Sequence, residues 1–317
     1  MGAPAKPRAL FIGTPAFAVP ALEALLEVAD VVGVVCQPDK PVGRAQTLTA
    51  PAVKTRALEA GLPVVQPTKL RTGEFAQWVR DQNADLAVVA AYGRILPPDV
   101  LAAPRLGCIN VHASLLPRYR GAAPITWAIV RGEKETGVTL MQMDAGLDTG
   151  PSLEQFAVPI GESETAGELT LRLATKGAEA VRVGIPKLLT GAYTPVPQDD
   201  AKATLAPILV KDDGLVPWSK TAHEVHDHVR GMNPWPGAFS RHRGKTVKLL
   251  GTRVGSESYA AAAPGTVVFA DRHHLIVACG QGAIELVIVQ PEGKRAMRAS
   301  EWLAGRGVAE GDLFAST

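Results

Sequence analysis

The first 190 residues alternate short apolar runs with stretches of helical periodicity, and this alternation constrains the fold most strongly. The stretches with helical spacing lie at 15–28, 51–60, 73–82 and 122–131. The apolar runs lie at 8–13, 31–36, 62–67, 85–93, 107–112 and 137–143. Short apolar strands separated by helices are typical of a parallel or mixed sheet that is covered by helices on both faces.

We therefore predict a doubly wound, Rossmann-like α/β domain over residues 1–190, closed by one long helix at 165–190. The turn after the first strand reads Gly13-Thr14-Pro15 and carries no G-x-G-x-x-G motif. The doubly wound architecture is supported, whereas a dinucleotide site at this turn is not.

The remaining chain has a different pattern. Residues 191–207 are rich in turn formers and are interpreted as a linker. Within 208–317 we predict a helix at 223–232, and the rest consists of short β-like runs. These runs lie at 246–254, 265–270, 274–280 and 283–290. Short strands with glycine turns predict a second, smaller β-barrel (OB-like) domain over 208–317.

Several classes of protein are disfavoured by simple features of the chain. Its three cysteines, Cys36, Cys108 and Cys279, are widely spaced, so a disulfide framework or a cysteine zinc site is not expected. The N-terminus lacks the apolar core of a signal peptide, and no apolar run approaches about 18 residues. We expect a cytoplasmic protein with no membrane segment. A net charge of +2 does not exclude nucleic acid, because local patches matter more than the total.

Two polar residues stand on an otherwise apolar strand of the first domain. Asn110 and His112 are two positions apart, so they share one face of that strand, near its carboxyl end. Ligands of open α/β sheets bind at this edge. From local sequence alone, a hydrogen-bonded polar pair in the core explains them equally well. Asp144 and Asp148 follow a later strand in a glycine-rich turn, where a turn-forming role is the simpler interpretation of either one.

An amide, an imidazole and a carboxylate together suit acyl transfer to an amine. The amide N–H of Asn110 and a charged His112 imidazole would stabilise the negative charge that develops on a carbonyl oxygen. A carboxylate such as Asp148 would favour the charged imidazole and help to relay the proton of the amine. No G-x-S-x-G motif is present, which argues against a serine hydrolase of that type.

The segments 110–124 and 137–150 resemble the signature of the folate-dependent formyltransferases, including Asn-Val-His-Ala-Ser-Leu-Leu-Pro at 110–117. This resemblance implies 10-formyltetrahydrofolate as the formyl donor and no metal. It implies catalytic roles for Asn110, His112 and Asp148. It also implies that the folate site is bordered by Ser114, Leu115, Leu116 and Pro117.

Within that family, the loop at 37–44, the Asn-Pro-Trp-Pro run at 233–236 and the β-rich tail resemble members that formylate initiator methionyl-tRNA. The resemblance implies a monomer that acts on this tRNA. The residues expected to contact tRNA are Lys40, Arg44, Arg241, Arg243, Lys245 and Lys248. The chain departs from many family members in having Ala-Gln-Thr at 45–47, where they carry further lysines.

Other interpretations remain open at this point. The amine could be an amino sugar nucleotide or another small amine, water could be the acceptor in a hydrolase, or the chain could bind tRNA without catalysis. His223, His226 and His228 invite a zinc hypothesis. We instead interpret them as a solvated helix surface, because His228 lies off the face shared by the other two.

Overall fold

The structure is a computed structural model, and it describes residues 6–43, 45–255 and 262–315. The chain divides into two compact units. The first unit takes the chain up to Pro124, Thr136–Val158 and Thr170–Ala206. The second takes Ile125–Glu135, Pro159–Leu169 and the chain from Pro207 onward. The exact limits of the two domains and of a linker stay a prediction.

The elements of the first two-thirds of the chain are mostly those of the first unit. The strands are β1 (Arg8–Gly13), β2 (Asp30–Val35), β3 (Lys40–Val42), β4 (Thr47–Thr49), β5 (Val64–Val65), β6 (Leu86–Ala90), β7 (Cys108–His112), β8 (Arg120–Gly121), β9 (Glu135–Gln142), β10 (Ser152–Pro159) and β11 (Leu205–Ala206). The helices are α1 (Val19–Val28), α2 (Ala52–Glu59), α3 (Glu74–Asp81), α4 (Pro98–Leu101), α5 (Pro124–Val130) and α6 (Ala166–Leu189).

Seven of these strands form one mixed sheet in the order β10-β9-β7-β6-β1-β2-β5. The strands from β7 to β5 are parallel, and β9 runs antiparallel to β7. From β1 the chain winds outward to β2 and β5, then returns to β6 and β7 on the other side. This reversal confirms the predicted doubly wound architecture, and it places a topological switch point at the carboxyl ends of β1 and β6.

The central strands are apolar because both of their faces are covered. Every residue of β6 and β7 is buried, which matches the continuous apolar runs read from the sequence. The pattern did not predict β10, whose residues at Ser152–Pro159 are mostly half-buried or exposed. An edge strand with one solvated face lacks a continuous apolar run, so its sequence signal is weak.

The second unit contains a helix followed by an antiparallel sheet. Its elements are α7 (Ala222–Gly231), β12 (Phe239–His242), β13 (Lys245–Val254), β14 (Val267–Ala270), β15 (Leu275–Ala278), β16 (Ala283–Pro291), β17 (Met297–Arg298), α8 (Ala299–Ala304) and β18 (Phe314–Ala315). The strand order is β14-β15-β16-β13-β12-β18, with β17 beside β16.

Backbone hydrogen bonds join the two edges of this sheet. Val267 N donates to Asp312 O at 2.8 Å, and Phe314 N donates to Gly265 O at 2.8 Å. The first and last strands in the order are thereby connected, so the sheet curls back on itself. The predicted β-barrel is confirmed.

The histidines of α7 correct one interpretation made from the sequence. His226 and His228 are buried, whereas only His223 of the three is exposed. The His226 ring contacts Thr252 Oγ1 at 2.9 Å and Glu162 O at 3.1 Å. The solvated-surface interpretation was wrong for these two because α7 packs against β13. Within the described part of the chain, no cluster of three His, Cys, Asp or Glu side chains is arranged to hold a metal ion.

No helix among the described residues combines the length and the apolar character that crossing a lipid bilayer requires.

Candidate active site

Asn110 and His112 lie side by side on β7, near the centre of the mixed sheet. Asn110 is 9% exposed and His112 is 6% exposed. Asn110 is paired with Val89 of β6 on one side and Met141 of β9 on the other. Because β7 is flanked on both sides, its backbone is fixed, and the two polar side chains sit at the carboxyl edge where the switch point lies.

The Asp148 carboxylate meets both of these side chains. Asn110 Nδ2 donates to Asp148 Oδ1 at 3.3 Å, and His112 Nδ1 lies 3.6 Å from Asp148 Oδ2. A backbone donor, Gly121 N, reaches Asp148 Oδ2 at 2.9 Å. Asp148 itself has φ 53°, a left-handed conformation that non-glycine residues adopt only when their surroundings hold them there. The structure thus brings the three residues expected to be catalytic into one cluster.

Asp144 has a different role. Its Oδ1 accepts hydrogen bonds from Gly146 N at 3.0 Å and from Thr149 Oγ1 at 2.7 Å. These contacts hold the turn that carries Asp148, as an aspartate commonly does at the start of a turn. Of the two candidate aspartates, only Asp148 is in contact with Asn110 and His112 among the described residues.

Both ring nitrogens of His112 face protein oxygens. Nε2 lies 3.0 Å from the carbonyl oxygen of Tyr119. A carbonyl only accepts, so Nε2 carries a hydrogen, and Nδ1 then faces the Asp148 carboxylate. The 3.6 Å between Nδ1 and Asp148 Oδ2 is an ion-pair distance and is too long for a hydrogen bond. Nε2 can donate to a substrate oxygen only when its contact with Tyr119 O is exchanged for it.

The turn that follows β7 is held by a compact set of hydrogen bonds. Ser114 Oγ donates to Arg118 O at 2.6 Å, and Thr139 Oγ1 donates to Ser114 O at 2.6 Å. Leu116 N donates to Thr139 Oγ1 at 3.1 Å, and Gln155 Nε2 donates to Leu116 O at 2.5 Å. Ser114 and Leu116 are buried, whereas Leu115 and Pro117 are half-buried. Ser114 and Leu116 therefore shape the backbone of the turn, and Leu115 and Pro117 keep some accessible surface.

A second polar network lies at the carboxyl ends of β1, β2 and β6. Thr14 Oγ1 donates to Tyr92 O at 3.1 Å, and Gln37 Nε2 donates to the same oxygen at 2.7 Å. Nearby, the Lys54 ammonium and the Gln66 amide hold the pKa of the Asp39 carboxyl below its usual value. These contacts fix the loops at the switch-point edge.

Cys36 lies at the end of β2 and offers no nucleophile. Burial raises the pKa of its thiol to about 11, so the thiolate is scarce near neutral pH. This agrees with a reaction that needs no covalent intermediate on the protein.

Sequence reasoning did not identify Gln198 and Arg120 as part of this cluster. Gln198 Nε2 donates to the carbonyl oxygens of Asp148 at 2.8 Å and of Gly150 at 2.7 Å. Arg120 is 7% exposed and donates to Gln198 Oε1 at 2.9 Å. Gln198 lies in a segment without periodicity, so no pattern pointed to it.

Five of the residues expected to contact tRNA are among the described residues, and they lie on exposed hairpins. Lys40 lies on the β3–β4 hairpin of the first unit, and its Nζ donates to Gln37 Oε1 at 2.7 Å. Arg44 lies outside the described residues. In the barrel, the remaining four lie on the β12–β13 hairpin and are exposed: Arg241, Arg243, Lys245 and Lys248.

The strand register shows how these barrel cations are arranged. Arg241 pairs with Thr246 and Phe239 pairs with Lys248, so Arg241 and Lys248 share the outer face of the hairpin. Arg243 forms an ion pair with Asp312 at 2.9 Å, which offsets part of its charge. Among the four, Arg241 and Lys248 therefore form the core of the outward-facing positive patch.

The fold and the site together define a class of protein: an α/β enzyme whose buried amide, imidazole and carboxylate are arranged for transfer of an acyl group. The family comparison is more specific. Residues 8–183 match the formyl transferase family, and residues 208–307 match the C-terminal domain of formyl transferases. The chain belongs to the formyl transferase family.

Curated relatives are similar over nearly their whole length. A methionyl-tRNA formyltransferase from Sorangium cellulosum is 55% identical over 305 residues, which is 96% of this chain and 98% of the relative. A methionyl-tRNA formyltransferase from Deinococcus radiodurans is 49% identical and covers 99% of this chain and 98% of its own length.

Among solved structures, an N-formyltransferase from Helicobacter canadensis, in complex with folinic acid and dTDP-3-aminofucose, superposes with a TM-score of 0.66. The match covers 90% of this chain and 99% of that one, at 20% sequence identity. At this identity the likeness concerns the fold alone.

Proposed function

We propose that this protein transfers the formyl group of 10-formyltetrahydrofolate to the α-amino group of methionyl-tRNA. The observation that carries the proposal is the convergence of Asn110, His112 and Asp148 at the carboxyl edge of the sheet. The choice of amine is supported by the near full-length similarity to relatives named methionyl-tRNA formyltransferase.

In the proposed reaction, the neutral amine attacks the formyl carbon, a carbon–nitrogen bond forms, and negative charge develops on the formyl oxygen. Asn110 Nδ2 carries two hydrogens, and its contact with Asp148 uses one of them. The second can be donated to the charged oxygen in a site that is largely shielded from water. Asn110 is therefore the principal donor to that oxygen.

In this proposal, His112 and Asp148 stabilise the developing charge and transfer the protons. The carboxylate faces His112 Nδ1 at 3.6 Å and stabilises the doubly protonated ring. That ring supplies positive charge beside the reacting oxygen, donates a proton to the leaving nitrogen, and then takes up the proton of the attacking amine. The bond between the formyl carbon and the leaving nitrogen then breaks.

The residues present fit a folate. The folate supplies an activated formyl group when bound. Its fused ring needs both apolar contacts and hydrogen-bonding backbone groups. β6 runs parallel to β7 with Val89 opposite Asn110, so the segment after β6 leaves the sheet at the edge where His112 lies, and it carries Ile95, which is 67% exposed. We assign the folate to this segment and to the turn 114–117, where Leu115 and Pro117 are the accessible members.

We further propose that Lys40, Arg44 and the β12–β13 hairpin of the barrel contact the phosphates of the tRNA. Exposed cations on hairpins can follow a phosphate backbone without contributing base specificity. Arg241 and Lys248 should contribute most within the barrel, since they share one outward face. The proposed substrate also agrees with a monomer that works in the cytoplasm, where charged tRNA is used.

A panel of amines tests this proposal directly. The purified full chain is incubated with 10-formyltetrahydrofolate and, in separate reactions, with initiator methionyl-tRNA, an amino sugar nucleotide, glycinamide ribonucleotide or buffer alone. Formyl transfer to methionyl-tRNA at a rate far above the other reactions is expected. Preferential formylation of the amino sugar nucleotide would replace methionyl-tRNA with that amine, and release of formate in buffer alone would indicate a hydrolase.

A further inference from the structure

Two donors that hold Asp148 are themselves positioned by one segment, residues 191–206. The first donor is Gln198 Nε2, which spans the carbonyl oxygens of Asp148 and Gly150. The second is Gly121 N, which reaches the Asp148 carboxylate at 2.9 Å. Gly121 belongs to β8, and β8 is paired in parallel with β11, the last part of the same segment.

The last residues of the segment are joined by hydrogen bonds to the turn after β7. Tyr119 N donates to Thr204 Oγ1 at 2.9 Å, Arg120 N donates to Thr204 O at 2.8 Å, and Ala122 N donates to Ala206 O at 2.9 Å. At Gly121 the backbones approach so closely that an added Cβ would lie 2.6 Å from Ala206 O. This pairing leaves no space for a side chain, and it sets the direction of the Gly121 N–H.

Arg120 orients the Gln198 amide. Its guanidinium donates twice to Gln198 Oε1, at 3.0 and 2.9 Å, and once to Asp200 Oδ1 at 2.8 Å. Because a guanidinium only donates, it fixes the oxygen of the Gln198 amide on its own side. The NH₂ group is then directed at the two carbonyls of the turn. The hydrogen bonds from Gln198 to the backbone of this turn thus stabilise the left-handed conformation of Asp148, while its carboxylate faces Asn110 and His112.

We propose that Gln198 is a positioning residue for the reaction, oriented by Arg120, and that the segment 191–206 acts as a brace for the catalytic carboxylate. The kinetic part of this inference rests on the proposed formyl transfer. The structural part, that Gln198 holds the turn 144–150, does not. Displacement of a catalytic group by about 1 Å is enough to lower a rate by about 100-fold.

Two substitutions separate the donor function of Gln198 from its volume and its contact with Arg120. Gln198→Met keeps the size and removes the hydrogen bonds. Gln198→Glu keeps an acceptor for Arg120 but places an oxygen opposite the carbonyls of Asp148 and Gly150, where a donor is needed. Val196→Ala is the matched control, because this side chain lies in the same segment and is 59% exposed.

The readouts are steady-state kinetics with 10-formyltetrahydrofolate and methionyl-tRNA, and amide hydrogen exchange of the substrate-free protein. For both Gln198 variants we expect kcat to fall by about 10- to 100-fold, with each KM within about threefold of wild type. Exchange should accelerate over residues 144–150 and remain unchanged in the central strands. Val196→Ala should match the wild type in both measurements.

A wild-type kcat in Gln198→Glu, or unchanged exchange over 144–150 in both variants, would overturn the proposal. A loss of kcat accompanied by faster exchange throughout the first unit would also overturn it, since that indicates general destabilisation. The exchange measurement needs no substrate. If the wild-type protein formylated none of the amines, the proposed function would fail while the bracing role of Gln198 was still decided.

Discussion

At the scale of single residues, Asp144 and Asp148 provide an internal comparison between two carboxylates of one turn. Asp148→Asn should lower kcat by about 100-fold or more, because a neutral amide beside His112 no longer stabilises the protonated ring. Asp144→Asn should lower it less than about threefold, because the asparagine oxygen can still accept from Gly146 N and Thr149 Oγ1. Single-turnover formylation assays measure both values. Equal losses in the two variants would contradict the assignment of Asp148 as the catalytic member.

Asn110 offers a second comparison at the same scale. Asn110→Ala removes the proposed donor to the reacting oxygen, and loss of one such donor typically costs about 100- to 1,000-fold in kcat. The KM for methionyl-tRNA should change little, because the interaction forms mainly in the transition state. Binding of 5-formyltetrahydrofolate, followed by calorimetry, serves as the control for an intact site. A raised KM with an unchanged kcat would show that Asn110 binds the ground state instead.

At the scale of elements, the β12–β13 hairpin allows the positive patch to be tested apart from the chemistry. The double variant Arg241→Glu with Lys248→Glu should raise the KM for methionyl-tRNA by about tenfold or more at low salt and leave kcat nearly unchanged. Raising the salt concentration should reduce the difference in KM between the double variant and the wild type, because salt screens the contacts with phosphate. The double variant Arg272→Glu with Arg306→Glu, at two exposed positions of the second unit, changes the total charge by the same amount and is the control. An unchanged KM in the double variant would remove this hairpin from the proposed tRNA surface.

Some strands and site residues could be predicted from the sequence, and others could not. Strands buried on both faces, such as β6 and β7, give continuous apolar runs, and the spacing of Asn110 and His112 placed them on one face. The contact between Asn110 and Asp148 joins positions 38 residues apart, and only the resemblance to a family indicated it. Gln198 lies in an irregular segment whose contacts arise from tertiary structure, so no local pattern predicted them.

At the scale of the whole molecule, stability should depend on pH through a buried histidine of the barrel. Burial lowers the pKa of His228 from 6.5 to about 4, and its Nε2 has no hydrogen-bond partner among the described residues. The unfolded chain therefore takes up a proton below about pH 6.5, whereas the folded chain resists it until about pH 4. The contribution of the neutral His228 to the stability of the fold is complete above the pKa of this histidine in the unfolded chain, and it is lost as the pH falls from about 6.5 toward about 4.

The loss attributable to His228 between about pH 7.5 and about pH 5 should be on the order of 2 kcal/mol in the free energy of unfolding. Urea unfolding followed by tryptophan fluorescence measures it in the second unit, which holds four of the five tryptophans, all except Trp78. His228→Leu should flatten the pH dependence by that amount, because an apolar side chain binds no proton in either state. His223→Gln changes an exposed position of the same helix and should leave the profile as in the wild type. If His228→Leu and the wild type lost stability in parallel on acidification, a different group would control the acid sensitivity of the barrel.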